Sequence, residues 1–117
     1  MRYIGDEGMN NDTQMMKGIL EGCILKVMQG KDMYGYKAVE TLNSLSFDVN
    51  EATVYPILLR LQGKGLLMAE KRPSPLGPDR KYYTLTEEGE GALREFSSSW
   101  NELNALVNKV LEGRRDD

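Results

Sequence analysis

One helix sets the terms on which this chain can fold. Leu93, Phe96, Trp100, Leu103, Val107 and Val110 step by three, four, three, four and three residues, a heptad seam. Leu106 and Leu111 widen the stripe. Thr86 is an N-cap residue, and Glu87 and Glu88 put negative charge in the first turn, where the helix dipole favours it. A lone helix on a small domain cannot keep such a stripe from water. It demands the N-terminal helix, a second subunit, or both. Leu93, Phe96, Trp100, Leu103, Val107 and Val110 are therefore the dimerisation candidates, on a helix over residues 86–112, with a charged tail over 113–117.

The rest of the 117 residues must supply the body, and that length suits one domain with one modest core. Residues 1–11 lack periodicity and contain Gly5 and Gly8, so they are expected to be disordered or a cloning remnant, with Met9 available as a natural start. Met16, Ile19, Leu20, Cys23, Ile24, Val27 and Met28 predict a helix capped by Asp12 or Thr13 and ended by Gly30. A second helix is expected from Tyr34 or Gly35 to about Ser44, with Tyr36, Val39 and Leu42 inward. Ser44 to Asn50 is a connection in which Phe47 or Val49 turns in.

The third helix starts at Asn50 or Thr53 and ends at Gly63 and Gly65, with Val54, Ile57, Leu58 and Leu61 on its inner side. A start at Thr53 would keep Pro56 in the first turn, where its missing N–H costs nothing. Leu66–Arg72 and Arg80–Leu85 then read as strands. Pro73 to Asp79, between them, holds three prolines and a glycine and is too long for a two-residue hairpin turn. Helix, helix, helix, hairpin is the order of a winged helix-turn-helix. The expected fold is mainly α (α+β through its wing): a winged helix-turn-helix over residues 12–85 with a C-terminal dimerisation helix.

Composition excludes several kinds of chemistry. There is no histidine and one cysteine, so no Ser-His-Asp or Cys-His nucleophile system, no intramolecular disulfide and no Cys/His zinc site fits in one chain. The carboxylates fall mostly on exposed helix faces, and Gly63-Lys64-Gly65 lacks phosphate-loop spacing. No enzyme, metal or cofactor is implied. The apolar run Leu66–Ala69 is far short of a membrane span, and no charged leader with an apolar segment opens the chain, so a cytoplasmic location is expected. Cys23 sits on the apolar stripe and reads as a small core residue.

The net charge is −3, which alone argues against nucleic acid, but the charge is unevenly placed. Between Ala52 and Tyr82 lie six bases (Arg60, Lys64, Lys71, Arg72, Arg80, Lys81) and two acids, a local balance of +4. The remainder carries nine bases and sixteen acids, or −7. Such a basic region on an acidic chain can hold DNA over about a Debye length, roughly 8–10 Å. The third helix is the candidate recognition helix. Asn50, Thr53 and Pro56 would reach base edges, Arg60 and Lys64 phosphates, and Tyr55 would pack or bond a phosphate. Arg72, Arg80 and Lys81 would touch the DNA backbone or minor groove from the wing. The alternative is a winged helix used for protein contact alone. Trp100 mid-seam is either a core aromatic or, with Phe96 and Ser97 beside it, the border of a pocket for a flat hydrophobic ligand.

Three stretches resemble the PadR family of transcriptional regulators: Tyr34-Gly35-Tyr36; Thr53-Val54-Tyr55-Pro56-Ile57-Leu58 with Arg60-Leu61 and Gly65-Leu66; and Gly77-Pro78-Asp79-Arg80-Lys81-Tyr82-Tyr83-Thr84-Leu85-Thr86-Glu87-Glu88-Gly89. The likeness spans Met15 to Val110 and is to the short branch, in which one C-terminal helix replaces a larger effector domain. It implies a homodimeric repressor on an inverted repeat, in some members released by a small molecule. Carried onto this chain, it adds Tyr34 to the DNA candidates and gives Tyr82 and Tyr83 a packing role. In multidrug-sensing members a tryptophan of the last helix pairs with its dimer mate and sandwiches flat drugs, and Trp100 stands in the matching place. The expected partners are thus double-stranded DNA with a palindromic operator, a second copy of the chain and a small aromatic or hydrophobic effector, with no membrane.

Overall fold

The computed structural model describes the backbone of residues 6–113 and side chains from Met16 onward. The elements run α1 (Asp6–Met28), β1 (Met33–Tyr34), α2 (Gly35–Ser44), α3 (Glu51–Gly63), β2 (Leu67–Ser74), β3 (Gly77–Leu85) and α4 (Glu87–Leu111). Helices α1, α2 and α3 enclose one core with the base of the hairpin. Leu20, Ile24, Leu25 and Met28 of α1, Ala38, Val39 and Leu42 of α2, and Val54, Ile57, Leu58 and Leu61 of α3 are its buried parts, closed by Leu67 and Tyr83. None of the described helices is long and apolar enough to cross a membrane.

The helix α1 begins earlier than its periodicity suggests. It already includes residues 6–11, so Asp12 and Thr13 lie inside it rather than at its cap. No proline interrupts that stretch, and one interior glycine costs only about 1 kcal/mol. The expectation of disorder for residues 1–5, and of a charged tail over 114–117, lies outside the described residues. Gly30, at φ +76°, provides the left-handed turn that ends the segment after α1.

At α2 the expected boundaries hold, but Tyr36 faces out rather than in. The linker brings both Phe47 and Val49 partly inward. At α3 the cap is Asn50: the Thr53 backbone N–H donates to Asn50 Oδ1 at 3.1 Å. Pro56 therefore sits in the second turn, not the first, and withholds the N–H that Ala52 C=O would accept. Ala52 is exposed, so water can serve that carbonyl.

The wing is longer and tighter than expected. Its strands reach Ser74 and Gly77, which pair directly, leaving only Pro75 and Leu76 at the tip. The prolines allow this because of a register shift between Arg72 and Ser74, where Pro73 needs no ladder hydrogen bond. Met33 and Tyr34 form an unforeseen third strand, pairing with Tyr83 and Tyr82 to give the sheet order β1-β3-β2.

Thr86 caps α4 and also ties it to the body. Its hydroxyl accepts from Gly89 N–H (2.9 Å) and donates to Gly65 C=O (2.7 Å). The first turns of α4 lie against α1, where a Cβ on Gly22 would run into the Phe96 ring. Leu93 (8% exposed) is part of the chain's own core, and Phe96 is half-buried on α1. Of the six seam residues, Leu93 is thus covered by the chain itself and Phe96 in part, and the exposed stretch of the seam starts at Trp100. The two belong to turns that must dock on α1 before the helix leaves the body.

Candidate nucleic-acid interface

One exposed face of α3 runs Thr53, Pro56, Arg60, Lys64, at the three- and four-residue steps that align side chains on a helix. Its two ends differ. Thr53 and Pro56 stand free at the N-terminal end, beside Asn50. The Asn50 side-chain oxygen is already engaged as the cap, so its amide NH2 is what remains for a base edge. At the other end Arg60 Nε donates to Glu21 Oε2 (2.9 Å), and Lys64 Nζ lies 3.6 Å from Glu21 Oε1. Two of the bases assigned to phosphates thus rest on a carboxylate of α1.

Beside α3 the structure gathers a tyrosine-rich cleft of about 390 Å³. Tyr34, Tyr55, Arg80 and Lys81 meet there, joined by Tyr36, Leu59 and Tyr83. The start of α2 approaches closely: a Cβ on Gly35 would come within 2.9 Å of the Tyr55 ring. The Arg80 guanidinium lies 4.3 Å from the Tyr34 ring centroid and Lys81 Nζ 5.4 Å from that of Tyr83. These aromatic rests hold two cations without neutralising them. Burial pushes the Tyr55 phenol above its usual range, reinforced by the charge of Glu51, so it remains a hydrogen-bond donor. Tyr36 and Leu59 were missed because the first was assigned inward and the second lacks a polar group. The Tyr-Gly-Tyr pattern was the available signal.

Arg72 is in a different situation. It sits directly across from Arg80, a like-charge pair that a sheet disfavours. Its guanidinium donates to Asp32 (2.9 Å) and Glu70 (3.1 Å) and covers the Tyr82 ring at 4.6 Å. Thr84 also donates to Asp32 (3.2 Å). Asp32 thereby ties the turn after α1 to both wing strands, and Arg72, like Arg60 and Lys64, already holds a carboxylate. Hydrogen bonds from Arg72 and Thr84 hold the Asp32 carboxyl below its ordinary range. A carboxyl lowered in the folded state adds stability above its unfolded value, about 3.9, and loses it as pH falls through the folded value. Asp32→Asn should reproduce the acid effect at neutral pH. Amide exchange in β2 and β3 is expected to quicken while α1–α3 stay protected; equal protection in the variant would show that the tie is idle.

The second cavity, about 490 Å³, opens between α1, α2 and α4. Phe96, Ser97 and Trp100 line it together with Gly22, Cys23 and Leu42. All three ligand candidates are thus brought to one groove. Burial pushes the Cys23 thiol up, which keeps it protonated and in its packing role. Beyond the groove the seam is open: Trp100 is 42%, Leu103 55%, Val107 46% and Val110 77% exposed. Among the described residues no group of three His, Cys, Asp or Glu side chains could hold a metal.

Known proteins place this arrangement. The transcriptional regulator PadR-like family matches residues 24–95. The chain belongs to that family. A solved PadR-like transcriptional regulator of Bacillus cereus is 43% identical, with a TM-score of 0.75 over 86% of this chain and 99% of its own. A PadR family regulator of Eggerthella lenta is 31% identical, with a TM-score of 0.80 over 91% of this chain and 93% of the other. A transcriptional regulator of Mycobacterium tuberculosis is 32% identical over 91 residues, 78% of this chain and 81% of that protein. This PadR-like chain is accordingly a winged-helix, DNA-binding transcriptional regulator.

Proposed function

We propose that this PadR-like protein is a homodimeric repressor that grips a palindromic operator and releases it when a flat hydrophobic ligand enters beside Trp100. The exposed seam from Trp100 to Val110 carries the proposal, because α4 offers an apolar stripe that none of the described residues covers. Pairing two such helices buries the stripe and fixes a two-fold axis. The two α3 helices then enter successive major grooves on one side of the duplex, roughly 34 Å apart, and the operator mirrors the symmetry. Asn50, Thr53 and Pro56 face the bases. Tyr34, Tyr55, Arg80 and Lys81 hold the backbone from the cleft. Such a protein works in the cytoplasm.

Fluorescence anisotropy on DNA from upstream of the protein's own gene, with random DNA as control at two salt concentrations, tests this reading. Specific, salt-sensitive binding supports it. Dimerisation without DNA affinity would leave the winged helix as a protein-interaction module. Quenching of Trp100 fluorescence by flat aromatic compounds, with loss of operator binding, supports the effector; DNA binding untouched by every such compound opposes it.

The two groups of DNA residues should separate in this assay. Thr53→Ala is expected to lower the ratio of operator to random binding by about tenfold. Arg80→Ala should weaken both DNAs alike and reduce the salt slope by about one. Equal losses on both DNAs for Thr53→Ala would remove its role in reading sequence.

A further inference from the structure

Glu21 is the point where the exposed face of α3 meets α1. Its carboxylate, 24% exposed, takes Arg60 on one oxygen at 2.9 Å and Lys64 on the other at 3.6 Å. Those bases form the C-terminal end of the exposed stripe whose N-terminal end is Thr53 and Pro56, the end that the proposed function turns toward the operator. A phosphate approaching that end of α3 meets two cations that already have an anion. We propose that Glu21 is an intramolecular competitor of the DNA backbone, a positioning residue that holds Arg60 and Lys64 back and sets both the affinity and the salt dependence of DNA binding. This rests on the reading of α3 as the recognition helix.

The chemistry favours exchange over permanent closure. Both bases keep about half of their side-chain surface in water, at 40% and 52% exposure, and partly exposed ion pairs yield to a competing anion. A phosphate that draws Arg60 and Lys64 away must break the pair with Glu21 and then lie near its freed carboxylate. Both costs lower affinity on every sequence, because neither involves a base. Fewer phosphates are neutralised as well, which flattens the salt slope. Arg80 and Lys81, resting on tyrosines with no ion pair among the described residues, are under no such restraint.

The test is a set of variants of the full chain on operator and random DNA across a salt series. Glu21→Gln keeps size and polarity and removes the charge. It should raise affinity for both DNAs about five- to tenfold at low salt, and steepen the slope of log K against log salt by about one to two. Glu21→Asp retains the charge and should stay within about twofold of the parent. In an Arg60→Ala/Lys64→Ala background, Glu21→Gln should have almost no effect. An unchanged or weakened Glu21→Gln, with its thermal melt intact, overturns the proposal. So does an equal gain in the double-alanine background, which would make Glu21 a general repulsive charge. Parent protein that binds no DNA overturns the recognition-helix reading as well, and that failure is seen in the parent arm rather than in the variants.

Discussion

Glutamate at both Leu103 and Val107 is expected to give a folded monomer that loses two to four orders of magnitude in affinity for a palindromic operator. In a single chain these residues are 55% and 46% exposed, so neither belongs to the core that holds the domain together. Burying the half of each side chain that remains exposed in a paired α4 would contribute about 1 kcal/mol each per subunit, and a carboxylate at the seam replaces that gain with a desolvation cost. Once the partner is gone, each half-site must be held by one winged helix alone. The loss of linked binding is on the order of 10²–10⁴. Light scattering at fixed concentration gives the mass, and anisotropy on operator and half-site DNA gives the affinities. The variant should bind the half-site almost as well as the parent does. Retained dimerisation would move the interface away from the α4 seam, and operator binding by a proven monomer would remove the palindrome.

What could be seen in the sequence was local. Thr86 and Asn50 are capping residues whose hydrogen bonds close within three positions, and the inner residues of α3 fall where helical spacing puts them. The basic stretch was legible too, as a count of charges. Its state was not. Arg60 finds Glu21 at a separation of 39 residues, and Arg72 finds Asp32 at 40, and no periodicity reports such pairings. The same limit hid the third strand, because Met33 and Tyr34 become a strand only when β3 lies beside them. It also concealed which part of the heptad seam is free. Leu93 and Trp100 look equivalent in sequence, yet the approach of α4 to Gly22 buries the first and leaves the second at the edge of a groove. The wing tip was misjudged for a different reason. Three prolines suggest a loose loop, whereas a register shift lets two of them flank a tight turn within paired strands.

Two glycines two residues apart on α4, and so on nearly opposite sides of it, should respond to the same substitution with opposite signs. Alanine is the better helix former by about 1 kcal/mol, so propensity alone would make both Gly89→Ala and Gly91→Ala stabilising. At Gly91 nothing opposes that gain: the nearest atom to an added Cβ is the end of the Arg94 side chain, 3.7 Å away. Gly91→Ala should therefore stabilise by about 0.5–1 kcal/mol. At Gly89 the new Cβ would overlap the backbone carbonyl of Leu66 and the Leu85 side chain. That carbonyl cannot easily retreat, since it accepts from Thr86 N–H (3.1 Å), while Leu66 N–H is itself held by Leu61 C=O (2.9 Å). Moving α4 outward instead would strain the Thr86 cap, which fixes the helix start through Gly65 and Gly89. Overpacking against backbone costs about 1–3 kcal/mol and sometimes more, with a cap worth about 1 kcal/mol at risk beside it. The net expectation for Gly89→Ala is a loss of about 2 kcal/mol, a fall in Tm of roughly 8 °C or more at matched protein concentration. A Gly89→Ala protein that melts as high as Gly91→Ala would mean that α4 can lift from the sheet without cost, and that α4 is not rigidly joined to the wing.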